Sequence, residues 1–287
     1  MKICKKILVY FVSILTIGMA ITSCQKMDRP KLPSDYPQDP PPPPYSILKD
    51  YWTFDGNVRD TGQYRAVTTA KNVTFVAGVK GQAAQIGDGG YIVAPVVDDS
   101  LKTPGSLTVA FWMNGATGPV QGGAQGIFAI SNSNQFWGNV EIFLENYSDA
   151  TDPNAVFMKI HLFNANVSGG GEVWLANDDV KLKDVLGKWT HIALTYDAAT
   201  SKISLYKDGA VTAVNGMELG GGNYGNLKFD NMNGVVLGSF AFQTDPSLTN
   251  HGPEGWAKSF NGALDNFRIY NRPLSAADVK NLFDNKM

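Results

Sequence analysis

The sequence predicts an all-β domain of the sandwich, barrel or jelly-roll kind, preceded by an export signal and a proline-rich spacer. Three observations carry this. Short apolar alternations recur between Gly, Asn and Asp clusters, the pattern of strands joined by turns. The 287 residues are 44% hydrophobic and 17% charged, with 30 glycines and 11% aromatics, enough to bury a sizeable core. Only one stretch, near the C-terminus, has helical spacing of its apolar residues.

Composition also excludes functions. A formal net charge of −2, with no run of Lys and Arg interleaved with aromatics, argues against a nucleic-acid partner. Two cysteines, Cys4 and Cys24, are too few for a disulfide framework or a thiolate zinc site.

At the N-terminus Lys2, Lys5 and Lys6 precede an apolar run over residues 7–20, the form of a secretory signal and short for a membrane span. It ends in Ile21-Thr22-Ser23-Cys24, which resembles a bacterial lipobox, so residues 1–23 are expected to be removed and Cys24 to be acylated. The alternative is an ordinary signal peptide that ends near a cysteine. Residues 24–46 then form a tether. Prolines 30, 33, 37 and 40 through 44 leave few backbone donors and favour an extended, semi-rigid spacer.

From residue 47 to 287 the chain reads as one domain. Strands are expected over 107–113, 140–147, 156–163, 172–176, 189–196, 203–206 and 264–270, and Lys207-Asp208-Gly209 supplies a turn. Ser275, with Asp278 three residues on and Val279, Leu282 and Phe283 on one face, predicts a short docking helix over 275–283.

Strand parity separates core from chemistry. Val140, Ile142 and Leu144 share one face of their strand, and Glu141, Phe143, Glu145 and Tyr147 the other. The next strand repeats the scheme, with Phe157, Lys159, His161 and Phe163 opposite the aliphatic residues, and in the third Glu172 and Trp174 oppose Val173 and Leu175. The mixed face suits a sugar, whose C–H surfaces stack on rings and whose hydroxyls need donors and acceptors. Either this face is open, or a loop covers it and its rings are a second layer of core. Trp137, among Gly, Asn and Ser, and Trp256, after Gly252-Pro253-Glu254-Gly255, are expected on loops at its rim.

The residues also carry a resemblance. Tyr51-Trp52-Thr53-Phe54-Asp55-Gly56, Gly78-Val79-Lys80-Gly81-Gln82-Ala83-Ala84 and Leu107-Thr108-Val109-Ala110-Phe111-Trp112 come in this order. Lys188-Trp189-Thr190-His191 with Tyr206-Lys207-Asp208-Gly209 follows, then the block from Phe260 through Asp265 and Tyr270 to Ser275. This series resembles laminin-G-like, concanavalin A-like jelly rolls. The resemblance implies a two-sheet antiparallel β-sandwich with a short C-terminal helix. It makes the mixed face the concave binding face, and it implies one structural calcium held by Asp55, Asp265 and a carbonyl near Gly81. Signal, lipobox and tether together resemble surface lipoproteins of polysaccharide-utilisation systems in gut Gram-negative bacteria.

The resulting expectation is a non-catalytic carbohydrate-binding lipoprotein, monomeric and lipid-anchored at the outer membrane or cell surface. Trp174 stands at the centre of its site, with Phe143, Tyr147, Lys159, His161, Glu141, Glu145 and Glu172 around it and Trp137 and Trp256 at the rim. Two alternatives stand beside it, an active or degenerate glycoside hydrolase and an adhesion or structural module that binds protein. Retaining glycosidases of this fold carry Glu-x-Asp-x-Glu on one strand, and Glu141-Ile142-Phe143-Leu144-Glu145 has Phe143 where the Asp belongs, which removes a group that tunes the glutamates. His161, His191 and His251 have no metal-ligand spacing.

Acylation at Cys24 has a direct test. The parent chain should partition with membranes, and Cys24→Ala should move it to the soluble fraction; unchanged partitioning removes the anchor.

Overall fold

The computed structural model describes residues 45–95, 99–118, 120, 123–147 and 149–287. The expectations for the signal segment, Cys24 and the prolines of the tether lie outside them. Residues 44–287 form one compact unit.

Among the described residues it holds sixteen strands: β1 (Leu48–Trp52), β2 (Thr69–Ala77), β3 (Gln82–Pro95), β4 (Leu107–Gly115), β5 (Ala124–Ile130), β6 (Val140–Asn146), β7 (Val156–Phe163), β8 (Glu172–Leu175), β9 (Lys181–Leu182), β10 (Thr190–Asp197), β11 (Lys202–Lys207), β12 (Ala210–Val211), β13 (Met217–Glu218), β14 (Gly234–Leu237), β15 (Ala257–Ser259) and β16 (Gly262–Tyr270). One helix, α1 (Ala276–Asp284), follows. The hydrogen-bonded order β12-β11-β10-β4-β16-β3-β14-β5-β6-β7-β8 is one curled sheet whose halves face each other across a core. All pairs are antiparallel except β15 with β5.

β3 joins the halves. Its first part pairs with β16 through Ala84–Ile86 and its last part with β14 through Ile92–Pro95. Between them lie Gly87, Asp88, Gly89 and Gly90, and against β2 the register jumps from Val73↔Ile86 to Lys71↔Tyr91. A Cβ on Gly87 or Gly90 would come within 2.9 or 2.6 Å of the Asn72 carbonyl oxygen, so the bulge that lets one strand serve two layers depends on glycine.

Between the layers the aliphatic faces of β6 and β7 meet Phe111 of β4 and Phe267 of β16. Phe267 stacks on Phe111 at 4.8 Å and lies against Phe128 at 5.4 Å and Trp52 at 6.1 Å. The outer face of β4 and β10 is covered by α1, which lays Val279 and Leu282 on Ala110 and Ala193. The Ser275 hydroxyl oxygen accepts from the Asp278 amide and the Asp278 carboxylate accepts from the Ser275 amide, a capping box where the spacing predicted the helix start. Trp112 stacks on Phe283 and donates from Nε1 to the Met287 carbonyl at 3.2 Å. No helix among the described residues is long and apolar enough to cross a membrane.

Candidate functional site

The aliphatic residues of β6, β7 and β8 join the core, and alternation along the strands puts Glu141, Phe143, Glu145, Phe157, Lys159, His161, Glu172 and Trp174 on the opposite face. Register places Glu141 beside His161 and His161 beside Trp174. That face is open only in part. The segment after β14 folds back over β5, where Gly126 makes room: a Cβ there would lie 2.4 Å from the Ser239 carbonyl carbon. Phe240 and Phe242, both buried, are thereby set against Phe143, Ala124 and Ala257. Phe136 and Trp137 come from the loop before β6 and complete the roof.

Three expected contact residues therefore change role. Phe143 is 2% exposed, Glu141 0% and His161 1%. Trp137 lies parallel to Phe143 at 5.7 Å and Trp174 lies 4.5 Å from the His161 ring, so the tryptophans cover the groups beneath. The centre also moves. Trp137 touches Trp174 at 5.0 Å, Trp256 at 6.0 Å and Phe136 at 4.9 Å, which makes it the hub and Trp174 one arm. Trp256 is 39% exposed at the rim. Tyr147 and Lys159 fall outside this cluster. Lys159 pairs with Glu145 at 2.7 Å and lies over Phe157, while the Tyr147 ring carries Lys181 at 4.9 Å. Phe240 and Phe242 were not singled out in the sequence. The only signal was two phenylalanines, spaced by one residue, that follow Gly234-Val235-Val236-Leu237 after Gly238-Ser239.

Glu172, whose side chain is 54% exposed, organises the visible part. Its Oε1 accepts from Trp174 Nε1 at 3.1 Å and meets His161 Nε2 at 3.2 Å. This assigns the proton of neutral His161 to Nε2 and leaves Nδ1, which is buried, without a partner. Glu141 lies deeper. Its Oε1 accepts from the Gly138 amide at 3.1 Å and holds the residue that follows Trp137, while Oε2 has no partner. Burial pushes the Glu141 carboxyl up to about 8, so it is mainly protonated at neutral pH. Burial likewise holds His161 well below the usual imidazole range, against the pull of Glu172, and brings His191 down to about 4.

Asp55, Asp265 and Gly81 do come together, at the turn between β2 and β3. Asp265 Oδ2 accepts from the Val79 and Lys80 amides at 2.8 and 3.2 Å, Asp55 Oδ1 from the Gln82 amide at 2.8 Å, and the Gly81 carbonyl from the Gly78 amide at 2.9 Å. Asp265 Oδ1 is buried with no partner, and burial together with the nearby Asp55 charge raises the Asp265 carboxyl to about 6. Two carboxylates with one orphaned buried oxygen fit a hard cation in chemistry, although backbone donors occupy most of the other oxygens.

The buried groups give a pH dependence of stability. A carboxyl whose pKa is raised in the fold stabilises it below its unfolded pKa and loses that contribution as pH climbs through the folded value. The buried imidazoles act in the opposite sense, because the unfolded chain takes up their protons below pH 6.5. Between 6.5 and 8 Glu141 dominates. Unfolding free energy should fall by about 2 kcal/mol across that window, at about 1.4 kcal/mol per unit, and Glu141→Gln should flatten the decline in urea titrations at the two pH values.

Comparison with known proteins adds the following. No curated protein matches the chain. Among solved structures it is similar to domain 4 of AbnA, a GH43 extracellular arabinanase from Geobacillus stearothermophilus, in complex with arabinotriose, at 18% identity and a TM-score of 0.52, covering 82% of this chain and 97% of that one. It is also similar to the binding domain of Paraclostridial Mosquitocidal Protein 1, at 14% identity and a TM-score of 0.55 over 83% of this chain and 52% of that one. The binding domain of botulinum neurotoxin DC in complex with SialylT gives 14% and 0.52 over 84% and 53%. The chain thus spans about half the length of the two toxin domains. Identities this low show the fold alone. The model of the concanavalin A-like lectin/glucanases superfamily matches residues 87–280, well over half of the 287, and the chain belongs to that superfamily.

Proposed function

We propose that this chain is a non-catalytic carbohydrate-binding protein that acts as a monomer and is held at a bacterial outer membrane or cell surface through acylated Cys24. The observation that carries the reading is the meeting of Trp137, Trp174 and Trp256. They come from a loop, a strand and a second loop, none is fully buried, and the Glu172 carboxylate lies open beside them. Indole surface with an adjoining acceptor serves both faces of a sugar's chemistry. Two of the solved structures similar to this chain are complexes with arabinotriose and with SialylT, which supports the glycan class.

Charge narrows the class to neutral glycans. Lys159 and Lys181 are taken by Glu145 and Asp178, each at 2.7 Å, whereas the open charge at the platform is that of Glu172. An acidic sugar stacked on Trp174 would meet the Glu172 carboxylate, which accepts from the Trp174 indole itself. Against catalysis stands the fate of the two glutamates. Glu141 is sealed under the Trp137 loop and Glu145 is paired with Lys159, so they do not act together on a glycosidic bond.

The test is affinity electrophoresis and calorimetry over neutral polysaccharides (arabinan, xylan, mannan, β-glucan, galactan) and acidic polygalacturonate, with a reducing-end assay on the same panel. A neutral polymer should bind with micromolar to millimolar Kd and release no reducing ends. Trp256→Ala and Trp174→Ala should each lose on the order of tenfold in affinity, from about 1 kcal/mol or more of stacking, with little change in Tm. Trp112→Ala should keep affinity and lose stability by about 3–5 kcal/mol. Full affinity in both Trp256→Ala and Trp174→Ala, or turnover that Glu141→Gln abolishes, overturns the reading.

A structural calcium at Asp55, Asp265 and the Gly81 carbonyl is proposed in second place, on the orphaned Asp265 Oδ1. Millimolar calcium should then raise Tm and chelator lower it, with Asp265→Asn indifferent to both; a parent protein equally indifferent removes the ion.

A further inference from the structure

Beside the segment that carries Trp256, two cavities of about 360 and 350 Å³ open next to one another. Asp88, Lys258 and Ser259 line both, so the two form one groove between the Gly87–Gly90 bulge of β3 and strand β15. Each part is at the lower end of the size range of small-molecule sites.

The first part has an apolar floor of Ile86 and Phe260, both buried. The walls are polar and fixed. The Gln125 side-chain oxygen accepts from the Asn261 amide at 3.0 Å, and Gln243 Nε2 donates to the carbonyls of Glu254 and Ala257 at 2.8 and 2.5 Å, which pins the loop that leads into β15. Asp88 and Lys258, by contrast, are exposed and enter no ion pair among the described residues. One offers acceptors and the other donors along the same groove, and their charges cancel.

Glu254 links this groove to the aromatic cluster. It lines the second part, and its carboxylate approaches His251 Nδ1 at 3.5 Å. The His251 ring in turn packs edge-on against Phe136, 4.7 Å away and in contact with Trp137.

We propose that the groove binds further sugar residues of the glycan held by the tryptophans, so that the ligand is an extended, uncharged oligosaccharide and not a single terminal sugar. This rests on the glycan reading above and deepens it. The apolar floor receives C–H faces, while Asp88 and Lys258 exchange hydrogen bonds with hydroxyls. The groove is lined by two carboxylates, Asp88 and Glu254, against one ammonium, Lys258, and so has no positive charge with which to select an acidic chain.

The experiment is calorimetry on the purified full chain, with the di- and hexasaccharides of whichever neutral polysaccharide of the panel it binds. The parent should bind the hexasaccharide at least tenfold more tightly than the disaccharide. The double variant Asp88→Ala/Lys258→Ala should lose most of that preference while it keeps the disaccharide affinity and Tm of the parent. Equal affinity of the parent for the two lengths, or an undiminished preference in the double variant, overturns the groove; Trp256→Ala still losing binding then leaves the tryptophan site standing. Failure of the parent to bind any polysaccharide of the panel overturns the glycan reading and the groove with it.

Discussion

Strands β6 and β7 have no purely polar face. Their aliphatic residues fill the space between the layers, and the other side carries Phe143, Phe157 and Phe163 among charged groups, so a sheet of this kind cannot leave its concave side wholly in water. Much of the rest follows from that constraint. The chain after β14 returns as a roof, Gly126 gives up a side chain to admit it, and the loop before β6 contributes Phe136 and Trp137. The roof ends before the edge strand β8. There the rings of Trp137 and Trp174 stay half-covered.

The same roof fixes the electrostatics. Glu141 and His161 would be ordinary surface groups on an open sheet; beneath Trp137 and Trp174 they lose water and stay neutral. Each keeps one hydrogen-bonding partner and leaves one buried atom unpaired, a costly arrangement for groups without evident chemistry. Their partners explain part of the cost. Glu141 ties down Gly138 behind Trp137, and His161 reaches Glu172, which also holds the indole of Trp174. The polar groups under the platform thus fix the positions of two of the three tryptophans above it.

Elements with regular alternation were legible in the sequence. The strand expected over 156–163 is β7 residue for residue, and Ser275 caps the helix as its spacing with Asp278 implied. Strands β2, β3 and β5 were missed for identifiable reasons. β3 is interrupted by four residues of which three are glycine, β5 offers only small side chains at Ala124, Gly126 and Ala129, and β2 is largely exposed, with Val73 and Phe75 packed on the core. In the candidate site, parity separated the aliphatic face of β6 to β8 from the face that carries Phe143, His161 and Trp174, but could not say what lies on top of it. That answer sits about a hundred residues away in Phe240 and Phe242, whose own neighbourhood shows two rings after a strand and nothing about the sheet onto which they fold.

Position 143 is where the chemistry of this face is decided. A carboxylate there would stand between Glu141 and Glu145 on one strand face, and each of the three would raise the pKa of its neighbours unless water or a substrate kept them solvated. A phenyl ring removes that coupling and needs cover, which the parallel indole of Trp137 supplies. Once Trp137 is seated, Glu141 is shut away from solvent while Glu145, at the open end of the strand, pairs with Lys159. A ring at this position therefore does more than keep an acid out of it. It leaves Glu141 buried and Glu145 paired with Lys159, and it supplies the ring on which the Trp137 indole is laid.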